Sequence, residues 1–514
     1  MFSRRHAIRL GLTTGAVGAV GAAGGVFRTL TAGQPAAAAG SAAAGSAAAG
    51  SAAAGSAAGK AAPAGAAAAP VEPFSLPLTT PPVLAPYRRT KTADFYRITM
   101  RRAGVEILPG TRTDALTYNG SFTGPTIRAR TGRTTVVQQV NALDMPTSVH
   151  LHGGNNPMAH DGGMMDTIAP GRKRTYVYEN KQPGATLWTH DHAHHMESEH
   201  VYRGLSGLYL LRDPAEDRLG LPSGKYDIPL VLRDAHFDAG AQLVYTMDDA
   251  ENRTTILVNG RPWPYLKVEA RKYRFRLVNS CNLRIFVLAL SDGSATQHPV
   301  RQIGTDGGLL AAPAETPVLV LSPGERIDFV VDFSKYAPGT KLTLANMLGP
   351  GPTELVGQVM RFDIGERTAD TSRVPDTLAT LPALPEPTVE RSFDLSMDEP
   401  GSGGHRAYIN GRTFDPDRID THIEWGSTEV WTVTNKSATV PHNFHTHLVQ
   451  FRILERDGQP PYPAETGWKD TVLLFPGQTA KLQLTFDSHR GVYPYHCHMI
   501  DHSAMGMMAQ MKIA

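Results

Sequence analysis

The sequence predicts an all-β protein of three β-sandwich domains, with an N-terminal segment that stands outside the fold. Two repeated markers and one compositional bias predict it. Fifty glycines and 38 prolines among 514 residues suit a chain rich in turns. Asn-Gly pairs stand at Asn119-Gly120, Asn259-Gly260 and Asn410-Gly411. Each precedes an alternating apolar run, 136–141, 274–279 and 430–435, and these runs end in Asn141, Asn279 and Asn435. Pro-Gly pairs recur at equal intervals, Pro170-Gly171, Pro323-Gly324 and Pro476-Gly477, and each opens a further period-two run such as 326–333. Alternation punctuated by Gly and Pro, with little 3.6-residue periodicity, argues for strands packed face to face. The repeats place the three domains at 75–220, 221–370 and 371–514.

The first 74 residues follow a different logic. Arg4-Arg5 precedes a weakly apolar, Gly-interrupted run that ends near Val26. Residues 1–35 resemble a twin-arginine export signal, too short and too rich in glycine to span a bilayer stably. Residues 36–74 contain the repeat Ser41-Ala-Ala-Ala-Gly45 and its copies, which offer almost no apolar surface to offset ordering entropy, so a disordered tether is expected. Export implies an extracellular, cell-envelope or periplasmic location, with no stable membrane span. The balance of 50 basic and 48 acidic groups gives no electrostatic reason to expect nucleic acid. Two cysteines cannot build a disulfide scaffold.

The 20 histidines fall into the repeat's register. His190 and His192 stand as far beyond Pro170 as His496 and His498 stand beyond Pro476; the same interval beyond Pro323 reaches Thr343 and Ala345. His150 and His152 follow the first Asn-ended run, and His442, His445 and His447 follow the third. The outer domains thus carry ligand-type residues at equivalent places, and the middle domain reads as a spacer. On a strand, residues i and i+2 share one face. Four His-x-His pairs (His150/His152, His190/His192, His445/His447 and His496/His498) therefore bring eight imidazoles towards one interfacial cluster. Imidazole suits copper, zinc or iron alike. Cys497, between His496 and His498, faces the other side of its strand, where His442, His502 and Met507 stand within reach. One thiolate, two imidazoles and a weak axial thioether form the ligand set of a blue-copper site. Structural zinc would want more thiolates.

At these residues the sequence resembles the multicopper oxidases, the family of laccases, bilirubin oxidases and cuprous oxidases. The matching motifs are His150-Leu-His152-Gly153, Trp188-Thr-His190-Asp-His192, His442-Asn-Phe-His445-Thr-His447 and His496-Cys-His498-Met-Ile-Asp-His502 with Met507. The resemblance implies three Greek-key cupredoxin domains and four copper ions per chain. His442, Cys497, His502 and Met507 would hold the type 1 copper, and His150 and His445 the type 2. His152, His190 and His498 would hold one type 3 copper; His192, His447 and His496 would hold the other. Electrons would enter singly at the type 1 site, pass through Cys497, and reduce O2 to water at the trinuclear cluster. Asp161 is the candidate proton relay, although Asp161-Gly162-Gly163 is equally good turn chemistry. Many bacterial relatives carry a Glu where this chain has Ser503. Asp470 is expected to be structural.

The remaining histidines take plainer roles. His160, His194, His195 and His200 break the equivalence between the outer domains, so surface or outer-shell positions are expected. His236, His298, His405, His422 and His489 have no partners in the pattern, and Cys281 is expected to be a small core residue. The expected reductant is a small aromatic molecule such as a phenol. Cu(I) is the alternative, disfavoured because the stretch 348–412 holds only Met360 and Met397. A third alternative, a copper-free structural relative, conflicts with the intact ligand set. A monomer is expected.

Overall fold

The strands ending in Asn141, Asn279 and Asn435 each lie between one parallel and one antiparallel neighbour. In the computed structural model, which describes residues 70–398 and 404–514, Thr134–Asn141 pairs parallel with Ala93–Val105 and antiparallel with Lys173–Tyr178. Lys272–Asn279 does the same with Asp227–Ala235 and Arg326–Asp332, as does Thr428–Asn435 with Val389–Met397 and Thr479–Thr485. The terminal asparagine explains why the two sequence markers travel together. Its carbonyl accepts the N–H of the Pro-Gly glycine at 2.8, 2.8 and 2.9 Å in the three copies. Its side-chain amide donates to the carbonyls of Ile168, Leu321 and Leu474. Its Oδ1 accepts the backbone N–H two residues on. Gly171, Gly324 and Gly477 all sit at left-handed φ, as a turn with Pro before Gly requires. The Asn-Gly pairs have positive φ at both residues, the twist that joins antiparallel strands tightly.

In each third of the described chain a second sheet covers the first. Over 88–212 a four-stranded sheet, ordered Thr126–Arg130, Ser206–Arg212, Ala185–Asp191, Val149–His152, closes a core around Tyr96, Val137, Tyr176, Leu187 and Tyr209. Over 227–367 a seven-stranded and a five-stranded sheet enclose Leu230, Phe275, Leu288, Phe329 and Phe362. Over 389–513 two five-stranded sheets enclose Phe393, Trp431, Phe444, Leu482 and Tyr495. These are β-sandwiches of cupredoxin type. Helix is confined to short pieces such as Glu197–Tyr202 and Ile500–Ala504. No helix of the described residues is long and apolar enough to cross a membrane.

Two expectations need correction. Residues 70–74, assigned to the tether, pack on the middle sandwich: Val71 and Phe74 lie against its core, and the Phe74 N–H donates to the Trp263 carbonyl at 2.8 Å. Their apolar side chains supply the burial that the Ala/Gly/Ser repeat lacks. Residues 371–378, assigned to the third domain, run along the middle one, where Leu378 is buried with Ile303, Leu310 and Val330. The export signal and the rest of the tether lie outside the described residues.

Asn279 is fully buried and makes three side-chain hydrogen bonds. At about 1 kcal/mol each, Asn279→Ala should lower the unfolding free energy by about 3 kcal/mol in denaturant titration. A loss under about 1 kcal/mol would detach the asparagine from the turn it is said to hold.

Candidate metal centre

The backbone places the histidine pairs before any metal is considered. His150 stands opposite His190 across the antiparallel pairing of Val149–His152 with Ala185–Asp191. His445 stands opposite His496 across the pairing of His442–Thr446 with Gly491–His496. The edges of the two outer sandwiches meet, and all eight imidazoles are buried. Three donor sets result, His150/His152/His445, His152/His190/His498 and His192/His447/His496, each with donor atoms within 4.8 Å of one another.

The hydrogen bonds around the rings decide which nitrogen carries the proton. His150 Nδ1 faces the Asp161 carbonyl and His445 Nδ1 the Asp470 carbonyl, both at 2.7 Å. A carbonyl only accepts, so both protons sit on Nδ1. The bare Nε2 atoms of His150 and His445 are buried with no hydrogen-bond partner. His447 Nδ1 is 2.7 Å from Asp161 Oδ2, and His152 Nε2 is 2.9 Å from Asp470 Oδ1. Nδ1 of His190 and His496 face the carbonyls of Asp191 and Cys497. Inward, His498 Nε2 lies 3.0 Å from His152 Nδ1 and 3.3 Å from His190 Nε2. His496 Nε2 lies 3.3 Å from Nε2 of both His192 and His447. Burial, then neighbouring imidazoles, holds His150, His192, His447 and His498 well below the ordinary histidine range. Neutral rings with protons turned outward and lone pairs turned inward repel one another unless cations lie between them. The donor set therefore fits transition-metal ions.

Asp161 and Asp470 are a matched pair. Each ties a histidine of its own sandwich through the backbone carbonyl and one of the opposite sandwich through the carboxylate. Their electrostatics differ. Burial, then Asp166, pushes the Asp161 carboxyl well above the ordinary range. Burial would do the same to Asp470, but Arg326 and His152 outweigh it and hold Asp470 well below. Arg326 is itself fully buried and reaches Asp470 Oδ1 at 2.7 Å.

On the other face of the Cys497 strand, Cys497 Sγ lies 4.0 and 3.8 Å from Nδ1 of His442 and His502, which are 3.1 Å apart. Ser437 Oγ contacts His442 Nε2 at 2.8 Å, leaving Nδ1 to face the sulfur. Met507 is fully buried; its carbonyl accepts the Cys497 N–H at 3.0 Å and its N–H donates to His502. Asn443 Oδ1 is 3.4 Å from the sulfur. The structure thus brings His442, Cys497 and His502 into one set, with Met507 bonded through its backbone to two of them.

The middle sandwich is more than a spacer. It supplies Arg326, and the Gly324 turn lies so close that a Cβ there would sit 2.8 Å from His498 Nδ1. Ser322 and Pro323 hold the Asn443 amide, and Asp248 Oδ1 stands 3.6 Å from His502 Nε2. Asp470 likewise does more than the structural role expected of it, since it holds His152 and His445. Sequence reasoning missed Arg326; its strand, Arg326–Asp332, also carries Asp328 and Asp332, so its charge alone did not single it out. It also missed Glu197, buried with neither carboxylate oxygen hydrogen-bonded, and pushed up to about 8 by burial. Cys281 is a core residue, as expected. His200 is buried against Asp191, while His195 is exposed.

The multicopper oxidase family profile matches residues 99–216 and 382–514. A bilirubin oxidase from Albifimbria verrucaria is 37% identical over 465 residues, covering 85% of this chain and 80% of its own length. A laccase from Bacillus subtilis (strain 168) is 33% identical, covering 86% of this chain and 99% of its own. The crystal structure of a multicopper oxidase from Pediococcus acidilactici superposes with a TM-score of 0.79 at 32% identity, over 87% of this chain and 93% of its own.

Two outcomes test the outer residues. Asp470→Asn should weaken copper retention by ~10–100-fold in chelator competition, the usual cost of losing a carboxylate behind a ligating histidine. Glu197 binds a proton in the native state that the unfolded chain releases near 4.5, so stability should fall as pH rises from there to about 8. Glu197→Gln should remove that slope: melting temperatures match near the acid end and the variant melts higher at the alkaline end. Parallel pH profiles would refute it.

Proposed function

The chain belongs to the multicopper oxidases, oxygen-using oxidoreductases whose cofactor is copper, and we propose that it is a laccase-like oxidase of small phenolic or other aromatic reductants. Four copper ions fit the donor sets. His442, Cys497, His502 and Met507 would hold the type 1 ion, and His150 and His445 the type 2. His152, His190 and His498 would hold one type 3 ion, and His192, His447 and His496 the other. Copper supplies one-electron redox chemistry there, so that four reductant molecules are oxidised for each O2 reduced to two waters. Arg4-Arg5 and the run that follows support export by the twin-arginine route, and the chain is read as a monomer.

The residues around the sites handle protons. Reducing O2 to water consumes four. Asp161 Oδ2 accepts the His447 N–H, and Oδ1 is buried without a hydrogen bond, so Oδ1 is the atom that would carry a proton and pass it to the oxygen being reduced. Burial pushes that carboxyl well above the ordinary carboxylate range, the direction that suits a proton donor. On the reductant side, Asp248 stands beside His502 with a side chain 45% exposed. Its carboxylate can take the proton that a phenol loses as its electron leaves.

The observation that carries the aromatic reading is the lack of thioethers in the stretch 348–412. It holds Met360, which lies in the middle core, and Met397, which lies against the third core. Thioethers favour Cu(I), and no methionine-rich segment occurs there. The matches to a bilirubin oxidase and a laccase lean the same way. One observation favours Cu(I) instead: Met247, 40% exposed, directly precedes Asp248.

Oxygen uptake by the copper-loaded enzyme separates the readings. A substituted phenol should be consumed faster than chelated Cu(I), four molecules per O2. Faster uptake with Cu(I), and phenol turnover only on adding copper, would establish the metal oxidase. Asp161→Asn should cut kcat by ~10²–10⁴ while the thiolate-to-copper visible band stays unchanged.

A further inference from the structure

The strand that carries Cys497 turns two faces to two purposes, and its counterpart in the first sandwich is built alike. Asp191 stands between His190 and His192 as Cys497 stands between His496 and His498. Met196 follows His192 at the interval at which His502 follows His498. The first sandwich therefore has, behind its own histidine pair, a position equivalent to the thiolate site. Its residues differ, yet they too are metal donors.

The helix Glu197–Tyr202 brings His200 to that face. His200 is 3% exposed, and its Nδ1 lies 3.1 Å from Asp191 Oδ1. The carboxylate accepts, so in the neutral ring the proton sits on Nδ1 and Nε2 is bare. Nε2 in turn lies 3.0 Å from Met145 Sδ. An imidazole lone pair facing a thioether lone pair at that distance is repulsive unless a cation takes both. A cavity of about 170 Å³ opens beside them, and Met196 and His195 contribute to its lining. His195 is held at φ 64, a conformation costly for a non-glycine residue and one that clusters at ligand sites. The two arginines on the wall are balanced: Arg203 by Glu199 at 2.6 Å, Arg102 by Asp114 at 3.4 Å.

We propose that Met145 and His200, with Met196 and His195 beside them, bind one soft monovalent cation, Cu(I), at a site separate from the four-copper machinery. Thioether donors select Cu(I) over zinc or Cu(II). A carboxylate behind the ligating histidine, as Asp191 stands behind His200, is the usual support of such a ligand. The cavity supplies an entry path. The strand separates this cation from the trinuclear cluster, since Asp191 points away from the face that His190 and His192 share.

Ag(I), a redox-silent stand-in, tests this on the copper-loaded full-length enzyme in chloride-free buffer. Bound silver and copper are counted after desalting, and the visible band of the thiolate site is monitored. The wild type should take up one silver without losing copper or colour, and silver-edge absorption should show sulfur and nitrogen neighbours. Met145→Leu, similar in volume and so well tolerated, should lower silver affinity at least tenfold and remove sulfur scattering, with the visible band unchanged. Met196→Leu should give a smaller loss. Anaerobic Cu(I) competition against a chromogenic chelator should rank the three proteins alike. Silver uptake equal in wild type and Met145→Leu would place the soft metal elsewhere, Met247 being the obvious rival, and overturn the proposal. No uptake at all would reduce the His200–Met145 contact to an N–H···S hydrogen bond, and would overturn it equally.

Discussion

The structure depends on keeping eight buried imidazoles neutral and correctly tautomeric with their lone pairs converged. In six of the eight a bare inward nitrogen is matched by an outward nitrogen whose proton is held, while Nδ1 of His192 and of His498 is buried without a partner. The protein meets this mostly with main-chain carbonyls: those of Asp161, Asp470, Asp191 and Cys497 each take one proton. Two side-chain carboxylates take two more, from His447 and His152. Carbonyls of strands and turns are fixed by the sheet itself, so ring orientation follows from the fold. That dependence explains why the donors come from two sandwiches docked edge to edge and why every ligating ring is buried.

The pairing of Asp161 with Asp470 shows how a repeat acquires two functions. Both residues do the same geometric work, one on each side of the cluster. Arg326, from the middle sandwich, touches only Asp470 of the two. The guanidinium fixes that carboxylate in its charged form, as a permanent acceptor. Asp161 has no such cation, and its burial pushes the carboxyl well above the ordinary range. A single buried arginine thus makes one aspartate a charged clamp and leaves the other without a cation beside it, the difference on which the proposed relay role of Asp161 rests. The middle sandwich, which holds no metal ligand of its own, sets this asymmetry.

The clustering of the donor side chains was legible in the sequence because its signal is local. His-x-His needs only the two-residue period of a strand, and the recurrence of Pro-Gly supplied the register that lined up four pairs. The fold was legible for the same reason: Asn141, Asn279 and Asn435 each bond the turn that their Pro-Gly pair makes, so both markers are parts of one motif. The supporting residues were not legible. Arg326 reaches Asp470, Gly324 lies against His498, and Asp248 stands beside His502. All these contacts join segments far apart in the chain, across domain boundaries that no periodicity encodes. The tether's end was misread for a related reason. Val71 and Phe74 gain their burial from the middle sandwich rather than from neighbours in sequence.

The two faces of the histidine-bearing strands carry the last step of the argument. Alternation forces the residue between two ligating histidines to point away from the cluster. In the third sandwich that residue is Cys497, which stands with His442 and His502 on the face opposite His496 and His498. In the first it is Asp191, which has no redox chemistry and instead supports His200. A carboxylate thus stands where the third sandwich has a thiol, with the His200–Met145 contact and its cavity behind the strand. One repeat therefore places a thiol with two imidazoles behind the histidine pair on one side. On the other side it places a carboxylate, an imidazole and a thioether, the donors on which the proposed Cu(I) site rests.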